Sequence, residues 1–128
     1  MRFLVVADIH YALKQYDWLL DVAPHYDAVV IAGDLLEISS MVDRRAQIVV
    51  LRTYLRNLAG KTRIIVCSGN HDLDGEREDG ERSAEWMLDL SGLGVVSDGE
   101  SALISGVRFS AFPWWDGKRT KEQVRSQL

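Results

Sequence analysis

Short apolar runs alternate along the chain with longer segments of mixed polarity. Phe3–Ala7, Ala28–Ala32 and Ile64–Cys67 are rich in Val and Ile and are bounded by polar or Gly residues, the pattern of strands buried inside a sheet. Between them, a helix is predicted over Tyr11–Ala23, ending near Pro24. A second is predicted over Val42–Leu58, where Ile48, Leu51, Tyr54, Leu55 and Leu58 share one face and Gly60 lies just past the end. A third is predicted over Gly80–Leu90. Strand, helix, strand, helix, strand implies βαβ units and a parallel sheet. After Leu93 the pattern shortens. Val95–Val96, Ala102–Ile104 and Val107–Ala111 are strand candidates, with Ser105-Gly106 as a hairpin turn. A last helix-like run, Lys118–Leu128, has no cap, Gly or Pro at its end, so the chain is expected to be incomplete at its C-terminus.

The length of 128 residues suits one domain. An apolar fraction of 47% and a charged fraction of 27% are ordinary for a globular protein. The net charge of −4 argues against an electrostatic grip on nucleic acid or on an anionic membrane. A phosphate substrate stays open, because bound cations would supply positive charge locally. A single cysteine, Cys67, excludes an intramolecular disulfide and fits a reducing compartment. No apolar run approaches the roughly 20 residues of a membrane-spanning helix. The expected localisation is cytoplasmic, with no membrane association.

The residues that follow the first three strands carry the chemistry. They are Asp8-Ile9-His10, then Gly33-Asp34-Leu35-Leu36-Glu37, then Ser68-Gly69-Asn70-His71-Asp72. In an open parallel sheet, ligands bind beyond the carboxyl ends of the strands. Three such loops would bring Asp8, His10, Asp34, Asn70 and His71 to a common volume. These are oxygen and imidazole donors without thiolates, suited to Mn, Fe, Zn or Mg. Gly33 and Gly69 fall where the backbone turns sharply off a strand and must come close to a ligand.

In this order and at these strand ends, the motifs resemble those of the calcineurin-like metallophosphoesterases: Asp-x-His, Gly-Asp-x-x-(Asp/Asn/Glu) and Gly-Asn-His-(Asp/Glu). The resemblance is specific over residues 1–75. It implies a two-sheet α/β/β/α sandwich, here mainly its first parallel βαβ half with the start of the second sheet, in one metallophosphoesterase domain over residues 1–128. It also implies hydrolysis of a phosphate ester, monoester or diester, at a dinuclear metal centre. By the resemblance, Asp8 and His10 bind the first metal ion, Asp34 bridges both and Asn70 binds the second. His71 faces the substrate, Glu37 orients that histidine, and Asp72 holds its loop in shape. Nucleic acid enters only as a substrate.

The family's later metal-binding histidines have no counterpart. The chain has three histidines, His10, His25 and His71, and His25, beside Pro24, is expected on the surface. The second metal would therefore keep only Asp34 and Asn70. The alternative function is a catalytically incomplete phosphoesterase-like scaffold that binds a partner. The isolated chain is also expected to self-associate through an apolar face left uncovered. A P-loop reading of Gly60-Lys61-Thr62 fails because Leu55 stands where a glycine is needed, and no Gly-x-Gly-x-x-Gly follows a strand. Cys67 is expected in the core, Trp114 and Trp115 partly buried, Asp74–Arg82 as a solvated loop, and Arg44 and Arg45 on a solvated helix face.

Overall fold

The computed structural model describes residues 1–128 apart from the side chains of Arg119 and Thr120. Strands β1 (Phe3–Val6), β2 (Ala28–Ala32) and β3 (Arg63–Cys67) lie side by side, parallel, in chain order. Helix α1 (Leu13–Val22) links the first two strands and α2 (Arg44–Ala59) links the second and third. After two further two-residue strands, β4 (Gly75–Glu76) and β5 (Arg82–Ser83), β6 (Val95–Val96) adds to the far edge of β3, completing a four-stranded parallel sheet. Strands β7 (Ser101–Ile104) and β8 (Val107–Ser110) form a separate antiparallel hairpin, and α3 (Lys118–Gln127) follows.

The pleat divides the apolar residues between two layers, as a period of two requires. Val29 and Ile31 of β2, with Ile64 and Val66 of β3, face a main core built with α1 and α2. Ala28 and Val30 of β2, with Ile65 and Cys67 of β3, face the other way, onto Ile104, Phe109 and Ala111. Helix α2 contributes Leu51, Leu55 and Leu58, all fully buried, each worth about 1.5–3 kcal/mol of burial. The hairpin is anchored by Phe3 and Phe109, whose rings meet edge to face at 4.7 Å and 84°. Its turn is the expected Ser105-Gly106, with φ of 49° and 82°, the pair of positive values that a two-residue type I′ hairpin turn needs. The α/β architecture is thus as expected, with the second sheet begun by this hairpin.

Two expectations need correction. No α-helix forms over residues 80–90. That stretch pairs as β5 with β4 and then takes single 3₁₀ turns at Glu85–Met87 and Leu90–Leu93. The Trp86 indole N–H donates to the Asp72 carbonyl at 2.9 Å, and its backbone N–H donates to Asp74. These tethers hold the chain across the core instead of letting it coil. The charged run Asp74–Arg82 is accordingly a small hairpin, not an open loop, and Arg82 donates to the Leu73 carbonyl at 3.1 Å. Trp114 and Trp115 are each about half covered, with 45% and 53% of their surface exposed, and Lys121 Nζ lies 5.3 Å from the centre of the Trp115 ring.

Cys67 is half-buried. Burial, with smaller contributions from Asp98 and Asp72, pushes its thiol up to about 11, so it is a protonated packing group near neutral pH and no activated nucleophile. His25 is exposed beyond α1, ahead of β2, as its sequence position implies. Among the described residues no helix is long and apolar enough to cross a membrane.

Candidate metal centre at the strand ends

The loops after β1 and β2 are joined by their backbones. The N–H of Asp8 donates to the Gly33 carbonyl at 3.2 Å, that of His10 to Asp34 at 2.9 Å and that of Tyr11 to Leu35 at 2.9 Å. This zipper continues the parallel pairing past the strands, but with a different backbone. Asp8, His10, Tyr11 and Asp34 all have positive φ, between 48° and 58°. Side chains other than Gly seldom adopt that region, although Asp and His do so more often than most. Four such residues in two adjoining loops are strain held in place by the surrounding fold, and strain of this kind clusters at functional sites.

The third loop closes against the second. Gly33, at φ 89°, comes so near Gly69 that a Cβ on it would lie 3.2 Å from the Gly69 Cα. A Cβ on Gly69 would strike the carboxylate and backbone of Asp34. Asp34 Oδ1 in turn accepts the His71 backbone N–H at 3.0 Å. Asp72, fully buried, ties the loops together. Its Oδ1 accepts from Leu36 and its Oδ2 from Gly69, both at 2.9 Å. Burial pushes the Asp72 carboxyl up to about 6 against the pull of those N–H donors. A loop-shaping residue behaves this way, with both oxygens turned inward to backbone donors.

The side chains converge as the sequence order implies. His10 Nε2 lies 3.9 Å from Asp8 Oδ1 and 3.9 Å from Asp34 Oδ2. The three donor atoms fall within 4.8 Å of one another. Two ligands on one divalent ion, each at about 2.1 Å, are up to about 4.2 Å apart, so a small side-chain rotation brings this trio onto a common ion. Asn70 places its amide 3.2 and 3.3 Å from the two Asp34 carboxylate oxygens. With nitrogen inward the amide donates to both. With oxygen inward, three acceptor oxygens meet with no proton among them, an arrangement that suits a cation. Asp8, His10, Asp34 and Asn70 can therefore hold divalent metal.

Glu37 stands between two histidines. Its Oε1 lies 3.5 Å from His71 Nδ1 and its Oε2 3.6 Å from His10 Nδ1. Both nitrogens are buried and have no hydrogen-bond partner among the described residues. The two rings meet edge to face, 4.6 Å between centres and 63° between planes. The Ser39 N–H and hydroxyl donate to Glu37 Oε1 at 3.1 and 3.0 Å. These donors, with the two imidazoles, hold its carboxyl below the usual range. A carboxylate facing Nδ1 favours the proton there and leaves Nε2 as the free lone pair. For His10 that free nitrogen is the one near Asp8 and Asp34. Glu37, His10 and His71 also bring donor atoms within 4.8 Å of one another, so a single ion between the two rings is the competing arrangement.

Two supports are absent from the sequence motifs. Gln47, almost fully buried on α2, accepts from the Glu37 N–H at 3.0 Å and donates to the Glu37 and Val42 carbonyls at 3.0 and 2.9 Å. It fixes the loop that carries Glu37. Its signal was its spacing: position 47 continues the buried stripe of 51, 55 and 58. The other is Asp98, which accepts from the Ser68 N–H at 2.8 Å and from its hydroxyl, while the Trp114 N–H donates to that hydroxyl at 2.9 Å. Burial raises the Asp98 carboxyl against these donors.

Comparison with curated proteins yields no match. The family model for calcineurin-like phosphoesterases matches residues 1–121. That span takes in the three strand-end loops, the sheet that presents them and the hairpin behind it, and the chain belongs to the calcineurin-like phosphoesterase family.

Proposed function

We propose that the protein hydrolyses phosphate esters with two divalent cations, one held by Asp8, His10 and Asp34 and the other shared between Asp34 and Asn70. The observation that carries this reading is the convergence of His10 Nε2 on two carboxylates from different loops, at 3.9 Å each, while its other nitrogen faces Glu37. The cations, when bound, supply Lewis acidity to the phosphoryl group and to the attacking water. The remaining tasks belong to side chains. Asp34 holds the third loop through the His71 N–H as well as offering two oxygens to metal. His71, half-buried beside the metal ligands, acts in its doubly protonated form: with Nδ1–H toward Glu37, it gives the Nε2 proton to the leaving oxygen as the bond from phosphorus to it breaks. Glu37 sets the ring orientation, the 3.5 Å separation closing to hydrogen-bond length once substrate is in place.

The test is turnover of a chromogenic phosphodiester, bis(4-nitrophenyl) phosphate, with and without metal. Manganese-loaded protein is expected to hydrolyse it, and chelation to lower the rate by about 100-fold or more, as several kcal/mol of charge stabilisation are withdrawn. Turnover that ignores the chelator would overturn the proposal. A second reading is a non-catalytic scaffold: the proposed second cation has only two donors assigned to it, Asp34 and Asn70. Metal content near zero together with no turnover would select the scaffold. Two metals per chain would select the enzyme.

A further inference from the structure

A cavity of about 600 Å³ opens beside the candidate centre, lined by His71, Glu37 and the start of α2. That volume matches a small-molecule site. Its lining is mixed. It includes Ile38, Met41 and Val42, large apolar side chains exposed by 57%, 104% and 42%. It also includes Arg44 and Arg45. Three carboxylates share the lining, and each already accepts protein donors: Glu37 from Ser39, Asp43 from the Arg45 N–H and Asp74 from the Trp86 N–H. The two guanidinium groups have no ion-pair partner among the described residues.

We infer that this cavity receives the leaving group of the substrate, and that the leaving group is an aryl- or nucleoside-sized body carrying a second phosphate, which Arg44 and Arg45 bind. The inference rests on the phosphoesterase reading above, which puts the leaving oxygen at His71. A leaving group that departs from that atom enters a cavity whose lining offers apolar side chains and two guanidinium groups without an ion pair among the described residues. Arginine grips a phosphate through paired N–H donors, so the pair selects for an anion at the far end of the substrate. Arg44 and Arg45 are specificity residues here and take no part in the bond breaking.

The test uses two diesters, methyl 4-(phosphonomethyl)phenyl phosphate and methyl 4-ethylphenyl phosphate, and the double variant Arg44→Gln/Arg45→Gln. Both positions are exposed, so the fold is expected to tolerate the change. Comparing variant with wild type for each diester cancels the difference in intrinsic reactivity. The expected result is a loss of about tenfold or more in kcat/KM for the phosphonate diester relative to the ethyl one, expressed in KM, and in the wild type a phosphonate preference that shrinks as salt rises. Equal losses for both diesters, or none for either, with turnover intact, would overturn the inference and leave the phosphoesterase reading standing. If neither diester turns over, bis(4-nitrophenyl) phosphate decides the phosphoesterase reading, which fails if that diester is not hydrolysed either. The cavity is then judged by NMR of the metal-free protein titrated with 4-(phosphonomethyl)phenol. Saturable shifts at the Ile38, Arg44 and Arg45 amides, weakened in the variant, uphold the anion site. Their absence removes it.

Discussion

Replacing Asp34 by Asn is expected to lower phosphodiester turnover at least about 10³-fold while leaving the protein folded, because the change removes transition-state charge stabilisation and little else. Asn is the informative substitute. Asp34 has a φ of 55°, a region that Asn tolerates and that Ala adopts only with strain. Its Oδ1 accepts the His71 N–H, and the amide oxygen of Asn can still do so. What Asn cannot supply is a negative charge shared between two cations. The melting temperature should therefore stay close to that of the metal-free wild type, while bound metal per chain falls toward zero. An Asp34→Asn protein that keeps its metal and its activity would show that the bridging position lies elsewhere.

His71→Ala should show a different signature. General acid catalysis contributes about 10²–10⁴-fold, and it matters only when the leaving oxygen needs a proton. With alkyl leaving groups kcat is expected to fall across that range. With 4-nitrophenolate, which departs readily without a proton, the loss should be far smaller. Metal content should be unchanged, since His71 Nδ1 faces Glu37 and lies outside the Asp8, His10 and Asp34 trio. A loss of metal on this substitution would place His71 among the ligands and favour an ion between the two imidazoles. An equal loss for both kinds of leaving group would remove its role as acid.

The strands were legible because each is a short run of β-branched residues ending abruptly in polar ones, and a two-residue period leaves little choice about which side chain faces which layer. The site was legible for the same reason: Asp8, Asp34 and Asn70 each fall within three residues of a strand end, and parallel strands end at one edge. Residues 80–90 misled because a mixture of charged and apolar positions satisfies a helical period without fixing a helix. The decisive interactions there are long-range, from Trp86 back to Asp72 and Asp74, and no local pattern records them. The motif pairs Glu37 with one histidine. It stands between two because the left-handed backbone of Asp8, His10 and Asp34 swings the first two loops together. Gln47 carried a signal in its spacing, a polar residue on a buried stripe, but its partner on the Glu37 loop is a backbone, which sequence does not mark.

The central claim is that the ends of three neighbouring strands share a pair of cations. Anomalous diffraction from crystals soaked in Mn²⁺ tests it most directly. One peak is expected within bonding distance of Asp8, His10 and Asp34, and a second between Asp34 and Asn70. A lone peak between His10, Glu37 and His71, or no peak at the strand ends at saturating metal, would contradict it.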